Sequence, residues 1–599
     1  MTAPIRLSSP PAASDPHRGQ AAQCRRIAGW TGLYVSLTII AYAGLVGRVV
    51  QLKLDPDRRL PLAVETSTST RNELARRGRL LDRAGRIIAT TTIGYRLFVD
   101  PQVVEDLTSV AGDLARLIGA DAVEIDRKIN ANLDRRYVIV ADQLDDAQIE
   151  AVRSANLRGV GLEPIPVRHY PNGPLAATVV GLVGFDHDGL AGFEYLFDEQ
   201  LEPTAGRLTY LRDVRRQALW FDPGKYAPGR DGTDVRLSID LVVQDIVEAR
   251  LRRAVSDHHA GGARCVVLDV RTGEILAISD ILNPRPGWDE QTADPMRDRD
   301  PRLGRNRCVT DPYEPGSTFK AFVWAVATEL GKAHPDEVLP TPDGVPHVTS
   351  RGRRIRDSFY YGPSSWRTVL IKSMNSGMAI VAERMTDQQM QGVVERFGFG
   401  RKTHCGLPGE SPGLVTPPQA WTHYSQTSVA YGHEIAVTAV QMVRAFAVFA
   451  RDGTIPSLRI TAADPAGDDT VHIEHRVLAE STVALTRDVL RQVMIDGSGR
   501  RAQSVKYQLF GKSATAQLPK KGGGGYHEDR YISSFIAGAP FTDPRIVVVA
   551  IVDDPDKKHS SHWGGEIAGP IARDIIDSTL DYLGVPPDQP GYLGPVAAP

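Results

Sequence analysis

The sequence predicts an α+β chain carried on one N-terminal membrane helix, with an elongated mixed α/β module first and a larger, more regular domain after it. Three observations carry this. A 21-residue run near the N-terminus holds no charge, short β-like runs alternate with amphipathic stretches up to about residue 227, and from about Asp234 the elements lengthen and end in a closing helix.

The anchor comes first. Ile27 to Gly47 reads IAGWTGLYVSLTIIAYAGLVG, long enough as a helix rising about 1.5 Å per residue to cross a hydrocarbon core of about 30 Å. Arg6, Arg18, Arg25 and Arg26 precede it against Asp15 alone, and a basic flank on the short side predicts residues 1–26 in the cytoplasm and the remainder outside. Ala41, Tyr42 and Ala43 form an A-x-A pattern that a cleavable signal peptide would also show, but the apolar run continues past it through Leu45 and Val46.

Residues 48–227 form the second segment. Tyr95 to Val99 and Tyr137 to Val140 read as strands, and Val103 to Leu117 and Asp146 to Ala155 as amphipathic helices. Tyr226 to Asp231, YAPGRD, reads as a linker. Residues 228–585 follow with a strand Asp234 to Ile239, a helix Val243 to Val255, strands Arg264 to Asp269 and Ile275 to Ile278, a buried strand IVVVAIV (Ile546 to Val552) and a final helix Ile567 to Leu583. Lys520 to Tyr526 is expected to be a mobile loop, and residues 586–599 a disordered tail.

Composition narrows the function classes. Of 599 residues 42% are hydrophobic and 24% charged, which excludes a collagen-like, wholly disordered or many-span membrane protein. Seventy Lys plus Arg offset 72 Asp plus Glu without a long basic run, so no nucleic-acid partner is expected. Cys24, Cys265, Cys308 and Cys405 lie far apart, which argues against a structural zinc site or disulfide framework. His559 and His562 beside Asp553, Asp554 and Asp556 read as a solvated polar loop, and no metal is assigned.

The chemistry starts at Ser317. A serine becomes a nucleophile when a base within reach takes its proton, and Lys320 stands three residues on, on the same face of a helix expected to begin near Ser317 and to end at Gly331. Free N–H groups at such a helix start would favour an oxyanion. Alone, S-x-x-K is expected about twice by chance in a chain this long. Two further elements follow in order: Ser373, Met374, Asn375, then Lys512, Ser513, Ala514, Thr515. S-x-x-K, S-x-N and K-S-A are ordered partial matches to the signature of penicillin-binding proteins and serine β-lactamases.

On these motifs the chain resembles a class B penicillin-binding protein, the monofunctional D,D-transpeptidase of peptidoglycan synthesis, most closely its cell-division branch. The resemblance covers about Arg76 to Pro587. RRGRLLDRAGRIIA (Arg76 to Ala89), RHYPNGPLAATVVGLVG (Arg168 to Gly184), GLAGFEYLFDEQL with Glu194, and NRCVTDPYEPGSTFK (Asn306 to Lys320) are similar to family segments, and Glu314 and Asn375 resemble the division branch. It implies a pedestal of the dimerisation type and a transpeptidase domain with a central antiparallel sheet flanked by helices, as in serine β-lactamases. It implies peptidoglycan stem peptides and β-lactams as ligands, division-machinery membrane proteins including a glycosyltransferase as partners, and no cofactor.

By the same resemblance, Ser317 attacks the penultimate D-Ala carbonyl, a neutral Lys320 is the base, Ser373 relays a proton to the leaving amine, and Asn375 holds Lys320 and the donor amide. Lys512, Ser513 and Thr515 would receive the donor carboxylate, with the Ser317 and Thr515 N–H groups as oxyanion hole. Ala514 departs from the family's Gly: its methyl faces either the donor's backbone, where crowding would slow acylation, or the wall beneath it, where the substitution would be neutral. Two other readings stay open: a non-catalytic division scaffold of the same fold, and a membrane-bound β-lactam sensor or hydrolase.

Overall fold

The computed structural model describes residues 16–54, 68–213, 218–221, 223–283, 294–463, 473–520 and 525–592. By contacts the chain divides into two units: Met1–Glu73 with Ala205–Gly229, and Leu74–Thr204 with Arg230–Pro599.

The first unit contains one long helix, Pro16–Leu54. It extends well beyond the expected span at both ends, because nothing in the flanking Arg- and Gln-containing turns breaks a helix. Arg25–Leu54 is apolar enough to cross a membrane, and its exposed residues run from Ile27 and Trp30 to Leu52 without a polar face. The unit also holds a three-stranded sheet in which Gly206–Arg212 is flanked by Thr68–Glu73 and Ala218–Phe221.

The larger unit contains most of the expected pedestal. Its strand Ile87–Val99 pairs antiparallel with Val160–His169 from Thr90↔His169 to Val99↔Val160, and helices Leu107–Ile118 and Asp146–Ala155 close a small core over it with Leu114, Ile125 and Val152 buried. The cuts between the units fall after Glu73, after Thr204 and between Gly229 and Arg230, so Leu74–Thr204 of the expected pedestal lies in the same unit as the second expected domain. Leu80, Ile88, Phe193 and Leu201 belong to the same buried cluster as Phe322 and Val443 of the catalytic region, because the expected strand Asp234 to Ile239 shortens to Val235–Arg236 and pairs in parallel with Leu80–Leu81.

Arg77 is buried to 2% exposure and serves as an internal brace. Its Nε lies 2.9 Å from Glu194 Oε2, and Arg168 Nε lies 2.8 Å from Glu194 Oε1. Two cations on one buried carboxylate make Glu194 costly to remove, by about 3–5 kcal/mol. Asp82, also buried, accepts from the N–H groups of Ala84, Arg86 and Leu241, so the RLLDRAGR segment caps the helix Leu241–Asp257.

The catalytic sheet is fully antiparallel, in the order Ile275–Leu282, Gly262–Asp269, Ile546–Asp553, Tyr526–Ala539, Phe510–Pro519. Its central strand Ile546–Asp553 is apolar up to its last residue because both faces are covered. Val547, Val549 and Ile551 face one core with the wholly buried helix Ala439–Ala450. Val548, Ala550 and Val552 face the other, with Leu251 and with Ile575 of the closing helix Ala568–Tyr582. Phe510–Pro519 is an edge strand, so one side of its backbone is free to meet a ligand.

Two expectations need correction. Asp553 and Asp554 are not solvated: both are buried, Asp553 against Arg264 and Arg307 and Asp554 against Arg530. The first part of the expected disordered tail is ordered, since Asp588 accepts from the Gln508 N–H at 2.7 Å and Gln589 N–H donates to Lys506 O at 3.0 Å. Residues 593–599, and residues 521–524 of the expected mobile loop, lie outside the described residues.

Candidate active site

Ser317 lies in a 3₁₀ turn, Gly316–Thr318, that runs into the helix Lys320–Glu329. The serine thus sits at a helix start, as the spacing predicts. Gly316 has φ +52°, a conformation that favours glycine, and an added Cβ there would pack 3.5 Å from the methyls of Ala514 and Ala516. Among the described residues the Ser317 hydroxyl makes no hydrogen bond.

Lys320 is fully buried. Its Nζ donates to Asn375 Oδ1 at 2.6 Å and to the Ser373 carbonyl at 2.7 Å, and lies 3.3 Å from Ser373 Oγ. Burial draws its pKa down to about 7, against the opposing pull of Asp357. Ser373 adopts φ +59°, strained for a non-glycine residue. That conformation turns its carbonyl and its hydroxyl toward the lysines together.

Lys512, on the edge strand, donates to Ser373 Oγ at 2.9 Å, to Ser498 Oγ at 3.3 Å and to the Ser513 carbonyl at 3.1 Å. It too is fully buried, and desolvation together with the Lys320 charge holds it well below the ordinary lysine range. Ser513 Oγ donates to Ser498 Oγ at 2.7 Å. Thr515 Oγ1 accepts from the Gly564 N–H at 2.9 Å, where any Cβ on Gly564 would meet Ala514 O at 2.0 Å.

One cleft therefore brings together Ser317, Ser373, Asn375, Ser513, Ala514 and Thr515, with Lys320 and Lys512 beneath. The Ala514 methyl is 3% exposed and faces the Gly316 turn. It packs toward the turn that carries Ser317, while Ala514 also lines the cleft.

Three residues escape the sequence reading. Asp357 Oδ1 accepts from the backbone N–H groups of Asn375 and Ser376, the latter at 3.0 Å, and its Oδ2 takes the Ser376 hydroxyl. It caps the helix Asn375–Ala382 from another segment, because Met374 at its N-cap offers no acceptor. Ser498 joins Lys512 to Ser513 from between Gly497 and Gly499, and that Gly-Ser-Gly turn is its only local signal. His433 lines the cleft beside Tyr431, and nothing in its spacing marks it.

Comparison with known proteins places this geometry. Residues 263–577 match the family described as "Penicillin binding protein transpeptidase domain" and residues 72–237 the "Penicillin-binding Protein dimerisation domain". The chain is 31% identical over 577 residues to the "Probable peptidoglycan D,D-transpeptidase PenA" of Neisseria meningitidis serogroup A, covering 94% of each chain. It is 28% identical over 557 residues to the "Peptidoglycan D,D-transpeptidase FtsI" of Escherichia coli K12, covering 92% of this chain and 91% of that one. Among solved structures it is similar to penicillin-binding protein 3 of Mycobacterium tuberculosis complexed with aztreonam, with a TM-score of 0.62, 25% identity, and coverage of 87% of this chain and 99% of that one. With its anchor-like helix, dimerisation segment and Ser317–Lys320 cleft, this chain belongs to the class B penicillin-binding proteins, the family of serine D,D-transpeptidases.

Proposed function

We propose that this chain cross-links peptidoglycan stem peptides in septal wall synthesis through an acyl-Ser317 intermediate. The observation that carries it is the convergence of Lys320 and Lys512 on the strained Ser373 beside Ser317, with Asn375 accepting from Lys320. Neutral Lys320 takes the Ser317 proton as Oγ attacks the penultimate D-Ala carbonyl, and Ser373, within reach of both lysines, passes a proton to the departing D-Ala amine. A donor carboxylate bound at Ser513 and Thr515 supplies the counter-charge that favours a charged Lys512. The relatives' names, peptidoglycan D,D-transpeptidases, and Glu314 before Pro315 support this reading.

The helix Arg25–Leu54 is read as an uncleaved anchor with residues 1–26 in the cytoplasm and the catalytic domain outside, on the arginine asymmetry. That placement suits partnership with division-machinery membrane proteins, a glycosyltransferase among them. The test is covalent labelling of the full-length protein by a fluorescent penicillin, with the adduct located by peptide mass. A stable adduct on Ser317 is expected. Absence of labelling would return the scaffold reading, and loss of the label within minutes the hydrolase reading. Depletion in the native cell should give filaments; rounded cells would assign elongation instead.

A further inference from the structure

The turn that carries Ser317 rests directly on a second turn, Gly432 to Glu434. Gly316 N–H donates to Gly432 O at 3.0 Å, and a Cβ at Gly432, which has φ +81°, would lie 2.1 Å from Gly316 O. Backbone therefore meets backbone, and the next side chain, His433, enters the cleft wall beside Ser317. Glu314, three residues before Ser317, fixes the ring. Its Oε2 lies 2.9 Å from His433 Nδ1, while its Oε1 accepts from the Glu434 N–H at 3.0 Å and from the Tyr526 hydroxyl at 2.9 Å. Tyr431 and Tyr526 pack edge-on against the imidazole.

A carboxylate can only accept, so Nδ1 carries the proton and Nε2 keeps its lone pair. Among the described residues Nε2 has no hydrogen-bond partner, and the side chain remains 28% exposed. An imidazole oriented by a carboxylate, with its free nitrogen in a nucleophile's cleft, has the geometry of a general base. The groups around it are Glu314, Glu434, Tyr431 and Tyr526, and acylation already has its base in Lys320.

We propose that His433 is the base that resolves the acyl-enzyme by taking the proton of the attacking amine. The neutral amine nitrogen bonds to the acyl carbonyl carbon and its proton passes to Nε2. As the adduct collapses, the carbon–Ser317 Oγ bond breaks and that proton returns, directly or through water, to Oγ. No proton is gained or lost overall. This rests on Ser317 as the acylated residue.

The experiment separates the two half-reactions in full-length enzyme. Acylation is read with a fluorescent penicillin, and acyl transfer with a thioester donor and a D-amino acid acceptor. His433→Ala should keep the penicillin acylation constant within about threefold, which also shows that the protein is folded, while transfer falls by about 10²-fold or more, the usual contribution of a general base. Added imidazole should restore part of the transfer rate. Unchanged transfer, or equal losses in both half-reactions without rescue, would overturn the role of His433. An adduct on a residue other than Ser317 in the wild type would instead overturn the nucleophile.

Discussion

Lys320 and Lys512 converge on one hydroxyl: Ser373 Oγ lies 3.3 Å from the first Nζ and 2.9 Å from the second. Both side chains are fully buried; desolvation disfavours both ammonium groups, and the Lys320 charge further disfavours that of Lys512. Burial thereby draws Lys320 to about 7, where a base acting near neutrality has to lie.

Acylation should rise with pH through a midpoint near 7, the value to which burial draws Lys320. Asp357 opposes that shift, so Asp357→Asn should move the midpoint to lower pH as well as loosen the Asn375–Ala382 helix start. The linkage has a definite sign. The folded value lies below the ordinary 10.5, so the unfolded chain binds the extra proton between about 7 and 10.5 and the stability contributed by this site increases with pH across that window. Penicillin acylation measured against pH in both proteins, with thermal unfolding of wild type and Lys320→Met over the same range, checks both statements.

Ser317→Ala should abolish covalent penicillin binding and leave the thermal midpoint almost unmoved. Among the described residues the hydroxyl has no hydrogen-bond partner, so its loss falls within about 0.5 kcal/mol, as for ordinary surface changes. Gel fluorescence and calorimetry on the same preparation measure the two effects. Stoichiometric labelling of the mutant would remove Ser317 from its role.

Removing Lys512 should discriminate between substrates. Lys512→Ala is expected to weaken acylation by donors carrying the terminal carboxylate by about tenfold or more, since a charge-assisted contact of about 1.5–3 kcal/mol is lost. Neutral esters without that carboxylate should lose much less. Equal losses on both would assign Lys512 to proton transfer or to structure.

Ala514→Gly should not accelerate acylation. The methyl packs beneath the Gly316 turn, so its removal leaves a small void and a looser strand, lowering stability by about 1 kcal/mol. Ala514→Val should be worse, pressing on the turn that holds Ser317 and slowing acylation. Stopped-flow acylation of the three proteins by one penicillin measures this, and a tenfold gain in the Gly variant would reinstate Ala514 as a brake on donor binding.

Local chemistry made much of this protein readable in advance. The Ser317–Lys320 pair works because a helix returns every third or fourth side chain to one face, and the apolar run Ile546–Asp553 announces a strand covered on both sides. The charge-free run within Pro16–Leu54 likewise needs only its own composition to state its solvent. The order of the three motifs carried the family, but their distances did not exist in one dimension. Asp357 is one acid among many until the fold brings it under the Asn375 helix, and Ser498 a loop serine until it meets Lys512. His433 needs Glu314 to become an oriented base, and their separation of 119 positions in the chain closes through packing of the Gly316 and Gly432 turns. The side of the strand on which the Ala514 methyl lies, and the grouping of Leu74–Thr204 with the chain from Arg230 onward, likewise follow from register and shared burial. Hydrophobic period and motif spacing act between neighbours in the chain, whereas burial, charge coupling and steric fit act between neighbours in space.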